Sequence, residues 1–332
     1  MIFQLLGQLR VDFAYMNFRI RHFLYLGAFV FAINANAGPM AYSVNSDSGD
    51  QENQDSLYEI DLATGADTRQ GTLLSGGQGR TDTEGLAIHP DGTLWGVDDE
   101  KLKLFPINKL SGSINFNDEI QLSGFSAGGS NDFGMTFNCE GSLYVTSVVD
   151  QNLYKINISD GSREQIGADK ALGANISAIA AYGSPMQLYG LGNGQFLNGD
   201  EDVPNLYWIN PVSGVATLIG ALGADEYNQG GLSFDADGTL WAITDRRIIN
   251  NSIENKPSQI MRLNLISGAA SYVSQTTEVG FESLAASAPA GCGPAQADDG
   301  YAPIPAMNPV GRLITVLSML MAGMFILRRR FS

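Results

Sequence analysis

The chain has 332 residues, with 39 glycines and only 16% charged side chains, a composition that suits a turn-rich β protein of one large or two ordinary domains better than a helical one. Its net charge is -16, and the acid is unevenly placed. Residues 1–37 carry three arginines and one aspartate, and residues 304–332 carry four arginines and no acid, so the stretch between holds 12 basic and 34 acidic residues, a formal -22. Such a surface repels nucleic acid and anionic lipid and attracts cations and basic partners.

The first element is a leader. Arg19 and Arg21 precede the apolar run Phe23-Leu-Tyr-Leu-Gly-Ala-Phe-Val-Phe-Ala-Ile33, and Ala35-Asn36-Ala37 follows as a small-x-small site. This order reads as a secretory signal over residues 1–37, cut after Ala37 by signal peptidase, with Ala35 and Ala37 forming the recognised pair. The apolar run is too short to span a bilayer. Met16 serves equally well as a start, because residues 1–15 add little to the signal.

A repetitive body occupies residues 38–290. One segment recurs five times: Leu57-Tyr-Glu-Ile-Asp-Leu-Ala-Thr-Gly65, Leu104-Phe-Pro-Ile-Asn-Lys-Leu-Ser-Gly112, Leu153-Tyr-Lys-Ile-Asn-Ile-Ser-Asp-Gly161, Leu206-Tyr-Trp-Ile-Asn-Pro-Val-Ser-Gly214 and Ile260-Met-Arg-Leu-Asn-Leu-Ile-Ser-Gly268. The closing glycines are 47, 49, 53 and 54 residues apart. Each copy alternates apolar and polar side chains and ends Asx-x-x-x-Gly, a half-buried strand running into a turn. Between these copies lies a second recurring unit, a strand, an Asp-Gly-like turn and a strand. Its forms are Gly85-Leu-Ala-Ile-His-Pro-Asp-Gly-Thr-Leu-Trp-Gly-Val-Asp98, Gly134-Met-Thr-Phe-Asn-Cys-Glu-Gly-Ser-Leu-Tyr-Val-Thr-Ser147 and Gly231-Leu-Ser-Phe-Asp-Ala-Asp-Gly-Thr-Leu-Trp-Ala-Ile-Thr244. A weaker copy spans residues 177–192, with its turn at Gly183 to Pro185.

Each repeat therefore supplies about four short strands, and a four-stranded unit at this period is the mark of a β-propeller. The body's two ends fit a closed ring. Glu282-Ser-Leu-Ala-Ala286 reads as a first strand without its blade, and Ala41-Tyr-Ser-Val-Asn45 as a second strand without its first. Together they complete one blade from both chain ends, giving an all-β fold of five four-stranded blades; a sixth, irregular blade also fits the length. Over residues 40–288 the repeats resemble the broad YncE/NHL-type propeller superfamily, which implies a fold and no particular activity. Trp95, Tyr144, Tyr189 and Trp241 hold equivalent second-strand places and are expected to pack between blades rather than to stack on sugars. The acidic stretch 192–204 is the candidate recognition loop. Two cysteines, Cys139 and Cys292, are too few for a disulfide scaffold. Export permits one bridge, but the two fall in non-adjacent repeats, which argues against it.

Residues 291–308 form a polar linker and sorting motif, Ile304-Pro305 among them, and residues 309–332 an apolar helix that ends in Arg328, Arg329 and Arg330. Counted from Pro309, with Arg312 reaching to the interface, that helix is long enough to enter a membrane, and its arginines hold its end in the cytoplasm. The tail resembles the IPTL-CTERM and PEP-CTERM class of sorting signals. The resemblance implies a Gram-negative bacterium, a membrane sorting protease as partner, removal of the tail, and delivery of the body to the cell envelope, outer surface or matrix.

Histidine chemistry has few parts. His22 leaves with the leader, and His89 sits in a hairpin turn beside Pro90, so neither a Ser-His-Asp triad nor a histidine-rich zinc site is expected. One acidic constellation stands out. Aligning the repeats puts Glu84, Phe133, Gly230 and Glu282 just before the first strands, which line the channel of a propeller. The ends of the second strands add Asp98, Asp99 and Asp245. Clustered carboxylates make a hard-cation site, for calcium or magnesium. Glu84-Gly-Leu-Ala and Glu282-Ser-Leu-Ala resemble the Glu-Gly-Leu-Ala element of esterase-like phytase domains and of calcium-dependent lactonase propellers. The sequence thus points first to a non-enzymatic, surface-directed propeller that binds a surface or matrix partner without a cofactor. The alternative is a calcium-dependent hydrolase using those carboxylates.

Overall fold

The repeats build their turns with one chemistry. At the end of each third strand an Asx side chain accepts the amide two residues on: Asp61 from Ala63, Asn108 from Leu110, Asn157 from Ser159, Asn210 from Val212 and Asn264 from Ile266, all at 2.9–3.0 Å. The glycine that follows takes a φ of +65° to +77°, a region costly for any residue with a Cβ. The first hairpins repeat a second device: Asn138 Oδ1 accepts from Ser142 N at 2.8 Å, and Asp235 Oδ1 from Thr239 N at 2.9 Å. These local preferences fix where each strand stops, so the alternating pattern between them falls into register.

The computed structural model describes residues 38–46, 55–75, 77–80, 82–125, 131–193, 204–223, 227, 230–250 and 252–293. The leader with Ala35 and Ala37, the acidic loop over 194–203, and the tail with Ile304, Pro305, Arg328, Arg329 and Arg330 lie outside them. The chain divides into a unit ending at Gly291 and one beginning at Cys292, and the sheets all belong to the first.

Five antiparallel sheets follow one another along the chain. Blade 1 pairs Met40–Val44, Ser56–Asp61 and Asp67–Thr72. Its innermost position is filled from the far end of the body: Tyr42 and Ala285 exchange two backbone hydrogen bonds of 2.9 Å, and Glu282 N donates to Val44 O at 3.3 Å. Blade 2 contains Thr83–Ile88, Leu94–Asp98, Lys103–Ile107 and Ile120–Gln121; blade 3 contains Phe133–Phe137, Leu143–Ser147, Asn152–Ile156 and Arg163–Ile166. Blade 4 contains Asn175–Tyr182, Gln187–Asn193, Pro204–Ile209 and Ala216–Ala221. Blade 5 contains Leu232–Phe234, Leu240–Ile243, Gln259–Leu263 and Ala270–Gln275, with the hairpin Arg247–Ile249/Ser252–Glu254 inserted between its second and third strands. The ring is thus the expected five-bladed propeller, closed by its two chain ends.

Ring closure shows in the packing. Five hydrophobic clusters fill the five interfaces: Val44 and Leu57 with Leu86 and Phe105, Val97 with Phe133 and Met135, Leu153 with Ile176 and Tyr207, Leu191 and Leu206 with Leu232 and Phe234, and Trp241 and Ile260 with Tyr58 and Ile60. Each such fully buried side chain contributes about 1.5–3 kcal/mol, which a lone sheet could not obtain. The turn glycines pass the ring on from blade to blade. A Cβ on Gly112 would lie 2.4 Å from Gly71 O, on Gly161 2.0 Å from Gln121 O, on Gly214 2.3 Å from Ile166 O, on Gly268 2.4 Å from Gly220 O, and on Gly65 1.9 Å from Gln275 O, which returns to blade 1. The recurring aromatics do pack between blades: Trp241 is fully buried, Tyr189 meets the Phe234 ring at 5.7 Å, and Trp95 meets Phe137 at 6.5 Å.

After the closing strand, the chain crosses the end of the axis at which the first hairpins turn. Ser287, Ala288, Pro289 and Ala290 lie with the ends of the first strands, and Gly183 N donates to Ala290 O at 2.8 Å. This crossing corrects the expectation for the cysteines. Cys139 Sγ lies 3.4 Å from Gly183 O, so its hairpin stands beside the path of the C-terminal strap although its repeat is not the last. Both Cys139 and Cys292 are disulfide-bonded. Among the described residues there is no α-helix, and none that is long and apolar enough to cross a membrane.

Candidate cation site at the channel mouth

The five first strands crowd the axis, and small residues let them meet. A Cβ on Gly134 would fall 2.8 Å from Ala178 Cα, and one on Gly231 2.2 Å from Ser283 C. Just before these small residues, the equivalent positions carry Glu84, Phe133, Ser177, Gly230 and Glu282. Blade 2 bulges there: Thr83 pairs with Asp98 and Gly85 with Val97, which leaves Glu84 out of the ladder. Blade 4 slips the same way around Ser177. A β-bulge re-aims the extra residue's side chain, and Glu84, Phe133, Ser177 and Glu282 line one narrow axial cavity.

Glu84 and Asp99, two of the residues singled out from sequence, come together there with a third. Carboxylate oxygens of Asp82, Glu84 and Asp99 all lie within 4.8 Å of one another. Asp99 is only 3% exposed, and its Oδ1 has no hydrogen-bond partner among the described residues. Ser177 Oγ, on the cavity wall, is likewise buried and without one. Glu282 reaches the same cavity from the closing strand, with its Oε2 accepting from Ser46 Oγ at 2.7 Å.

The charges are hard to accommodate together. Burial, then repulsion from Glu282, Asp132, Asp99 and Asp82, pushes the Glu84 carboxyl up to about 12. Burial, then the neighbouring Asp82 and Asp132, pushes Asp99 up to about 8. Desolvation and like charge both disfavour the ionised form. A bound divalent ion reverses that logic, since it supplies the local charge that the carboxylates lack. The donor set is all oxygen, which suits a hard cation.

The other two aspartates are used differently. Asp98 Oδ1 accepts from Lys101 N at 2.7 Å, and its Oδ2 faces Arg80 Nε at 3.9 Å. Arg80 in turn holds Glu119 with two bonds of 2.7 and 2.5 Å. Burial raises the Asp98 pKa, with the Lys101 amide and Arg80 opposing the rise. Asp98 therefore fixes the turn that presents Asp99. Asp245 is buried with its carboxylate on Arg246 Nε at 2.8 and 3.1 Å. His89 stands at a hairpin tip, its Nδ1 2.9 Å from Asp91 and its ring on Phe137.

Sequence reasoning missed Asp82 and Asp132. Asp82 was within reach, because Asp82-Thr-Glu84 has the two-residue period of one strand face. Asp132 gives no such signal, since it precedes an ordinary strand start at Phe133.

No family model and no curated protein matches the chain. Solved structures similar to it include a symmetrical protein whose de novo evolutionary emergence is shaped by folding constraints, at 19% identity over 75% of this chain and 99% of that one, with a TM-score of 0.45. Virginiamycin B lyase from Staphylococcus aureus is 21% identical over 72% of this chain and 70% of that one, with a TM-score of 0.38. A protein of unknown function from Bacteroides caccae is 10% identical over 75% and 98%, with a TM-score of 0.43. Similarity at this level adds nothing to what the sheet topology defines, a five-bladed β-propeller.

Proposed function

We propose that the chain is an exported β-propeller that binds calcium at the acidic mouth of its axial channel and acts, without catalysing a reaction, as a binding protein of the cell envelope or surface. The observation that carries the reading is the convergence of Asp82, Glu84 and Asp99 within 4.8 Å, with a buried Asp99 oxygen that has no partner among the described residues. Asp132 and Glu282 add charge around them. Calcium takes six to eight oxygens and tolerates irregular geometry, whereas magnesium demands a strict octahedron. Carboxylates from a bulged strand start, Asp82 and Glu84, and from the end of its neighbour, Asp99, suit the former. The loaded mouth presents a cation on an otherwise acidic surface, and an acidic surface or matrix partner is then held through the ion.

Export rests on the leader over residues 1–37, cut after Ala37, and on the sorting tail with Ile304, Pro305 and Arg328 to Arg330. Signal peptidase and a membrane sorting protease are the processing partners in this reading, and the apolar stretch after Pro309 anchors the chain in the inner membrane until it is cut. The hydrolase alternative has one supporting feature, the Glu84-Gly-Leu-Ala element at the channel mouth. Phosphomonoester and lactone turnover, assayed with and without calcium, separates the two readings.

The test of the site is calorimetry. Chelator-treated protein titrated with calcium chloride should give saturable heat that Glu84→Gln abolishes. Absence of heat and of any thermal shift in millimolar calcium would remove the reading.

A further inference from the structure

The end of the ring away from the acidic mouth carries three bare aliphatic side chains. Leu110, Val212 and Ile266 are 85%, 83% and 90% exposed, while no other large hydrophobic among the described residues exceeds Tyr272 at 52%. Single exposed apolar residues are ordinary, but these three hold one position in the repeat. Each lies two residues after the Asx that ends a third strand, and each donates its own amide to that Asx side chain at 2.9 Å. The turn is thereby fixed with an aliphatic side chain at its tip. Blades 1 and 3 place Ala63 and Ser159 there instead.

All three tips stand at one end of the ring. A third strand ends level with the start of the second, as Ile107 does with Leu94 and Ile209 with Leu188. Its turn therefore lies beside the first hairpin, and Lys109 Nζ donates to Gly92 O at 2.8 Å across the two. Blades 2, 4 and 5 supply the tips. No two neighbouring tips are more than two blades apart, so the axis passes inside the triangle they make. The strap runs at the same end: Gly183 N donates to Ala290 O at 2.8 Å, and a Cβ on Gly291 would lie 2.6 Å from Tyr182 Cζ. The body thus ends on the face that bears the three tips. Beyond it the sequence has only the 17 residues 292–308 before the apolar run from Pro309, which reach no farther than about 60 Å even when fully extended.

We propose that this face docks on a bilayer surface of neutral headgroups while the tail holds the chain there, with Leu110, Val212 and Ile266 seated at the boundary between headgroups and acyl chains. The inference rests on the reading of the tail as a membrane anchor. Three side chains are too little apolar surface to bring the protein down from free solution, since even one whole acyl chain gives only marginal binding. On a short tether the effective concentration is roughly millimolar, and a weak contact is then occupied. The headgroups are neutral because the hairpin turns at this end carry Asp91, Glu140 and Asp237 and the chain is -16 overall, charges that anionic lipid repels. Docked this way, the ring lies flat on the membrane and turns its acidic mouth to the solution, where an ion and a partner can reach it.

Quenching of tryptophan emission by brominated lipid tests this on the full chain with its tail, reconstituted into phosphatidylcholine vesicles. Val212→Trp puts the probe on the docking face. Val149→Trp, in the turn between Leu143–Ser147 and Asn152–Ile156, puts it at the mouth end. The wild type corrects for the native tryptophans. Emission from Val212→Trp should fall at least about twofold in brominated vesicles, and emission from Val149→Trp should not change. Adding Leu110→Asp and Ile266→Asp to Val212→Trp should abolish the quenching while the protein still floats with the vesicles. Both residues are exposed, so the urea midpoint should stay where it was. Equal quenching of the two probes, quenching of neither, or quenching that survives the two aspartates would overturn the docking and leave the anchor standing. A chain that does not float with the vesicles would remove the anchor and the docking together. A dimer in detergent that the same aspartates dissolve would give the face to a second copy instead.

Discussion

Replacing Glu84 by glutamine should raise stability in chelator and leave it nearly unchanged in calcium. Glu84 has an ordinary value of 4.5 and is pushed up to about 12 in the fold. At pH 7 in chelator, the folded protein must hold a proton there that the unfolded chain has released. One pKa unit is about 1.4 kcal/mol, so the 2.5 units between 4.5 and neutrality correspond to roughly 3 kcal/mol of lost stability. The stability linked to this group is complete below pH 4.5 and falls as pH rises towards about 12, by about 1.4 kcal/mol per unit at first. The glutamine variant has no proton to take up. In chelator at pH 7 it should be the more stable protein by up to about 3 kcal/mol, roughly 10 °C in Tm for a body of this size. In calcium at about a hundred times its Kd the wild type gains about 2.7 kcal/mol, the variant lacks that gain, and the difference between the two narrows to near zero. Urea denaturation at pH 5, 6, 7 and 8, in chelator and in calcium, reads all of this. A glutamine variant that is less stable in chelator, or that keeps the wild-type pH slope, would refute the reasoning.

Three further outcomes follow from the packing. Arg80→Met leaves the nearly buried Glu119 and Asp98 without their cation and should lower stability by about 3 kcal/mol in urea titration, as removal of one partner of a buried pair does. Gly161→Ala places a Cβ 2.0 Å from Gln121 O at a φ of +71° and should cost about 1–3 kcal/mol, with a matching fall in Tm. Reduction of the disulfide at Cys139 and Cys292 should destabilise by about 2–5 kcal/mol, seen as a lower urea midpoint in dithiothreitol than in oxidised protein.

The fold was legible because its signals are local and repeated. Asx-x-x-x-Gly ends every third strand, the Asp-Gly-like turns mark the first hairpins, and the unmatched strands at 41–45 and 282–286 announce the seam. The site was only partly legible. Glu84, Glu282 and Asp99 could be placed at the mouth because the repeats align, but the partners of Asp98 and Asp245 could not. Arg80 reaches Asp98 from the connection between blades, and Arg246 is Asp245's own neighbour folded back on it. Neither contact has a periodic signature. The bulge that turns Glu84 out of the ladder also leaves no mark in the residue pattern, since Thr-Glu-Gly reads as ordinary strand. The cysteine pairing was hidden for a different reason. Repeat spacing describes the ring, whereas residues 286–291 leave it and cross beneath the axis to Gly183.

Native mass spectrometry tests the cation site most directly. Chelator-treated protein transferred into millimolar calcium should gain the mass of one calcium per chain, and the Glu84→Gln and Asp99→Asn variants should not. An unchanged mass, or the same uptake in both variants, would contradict the account.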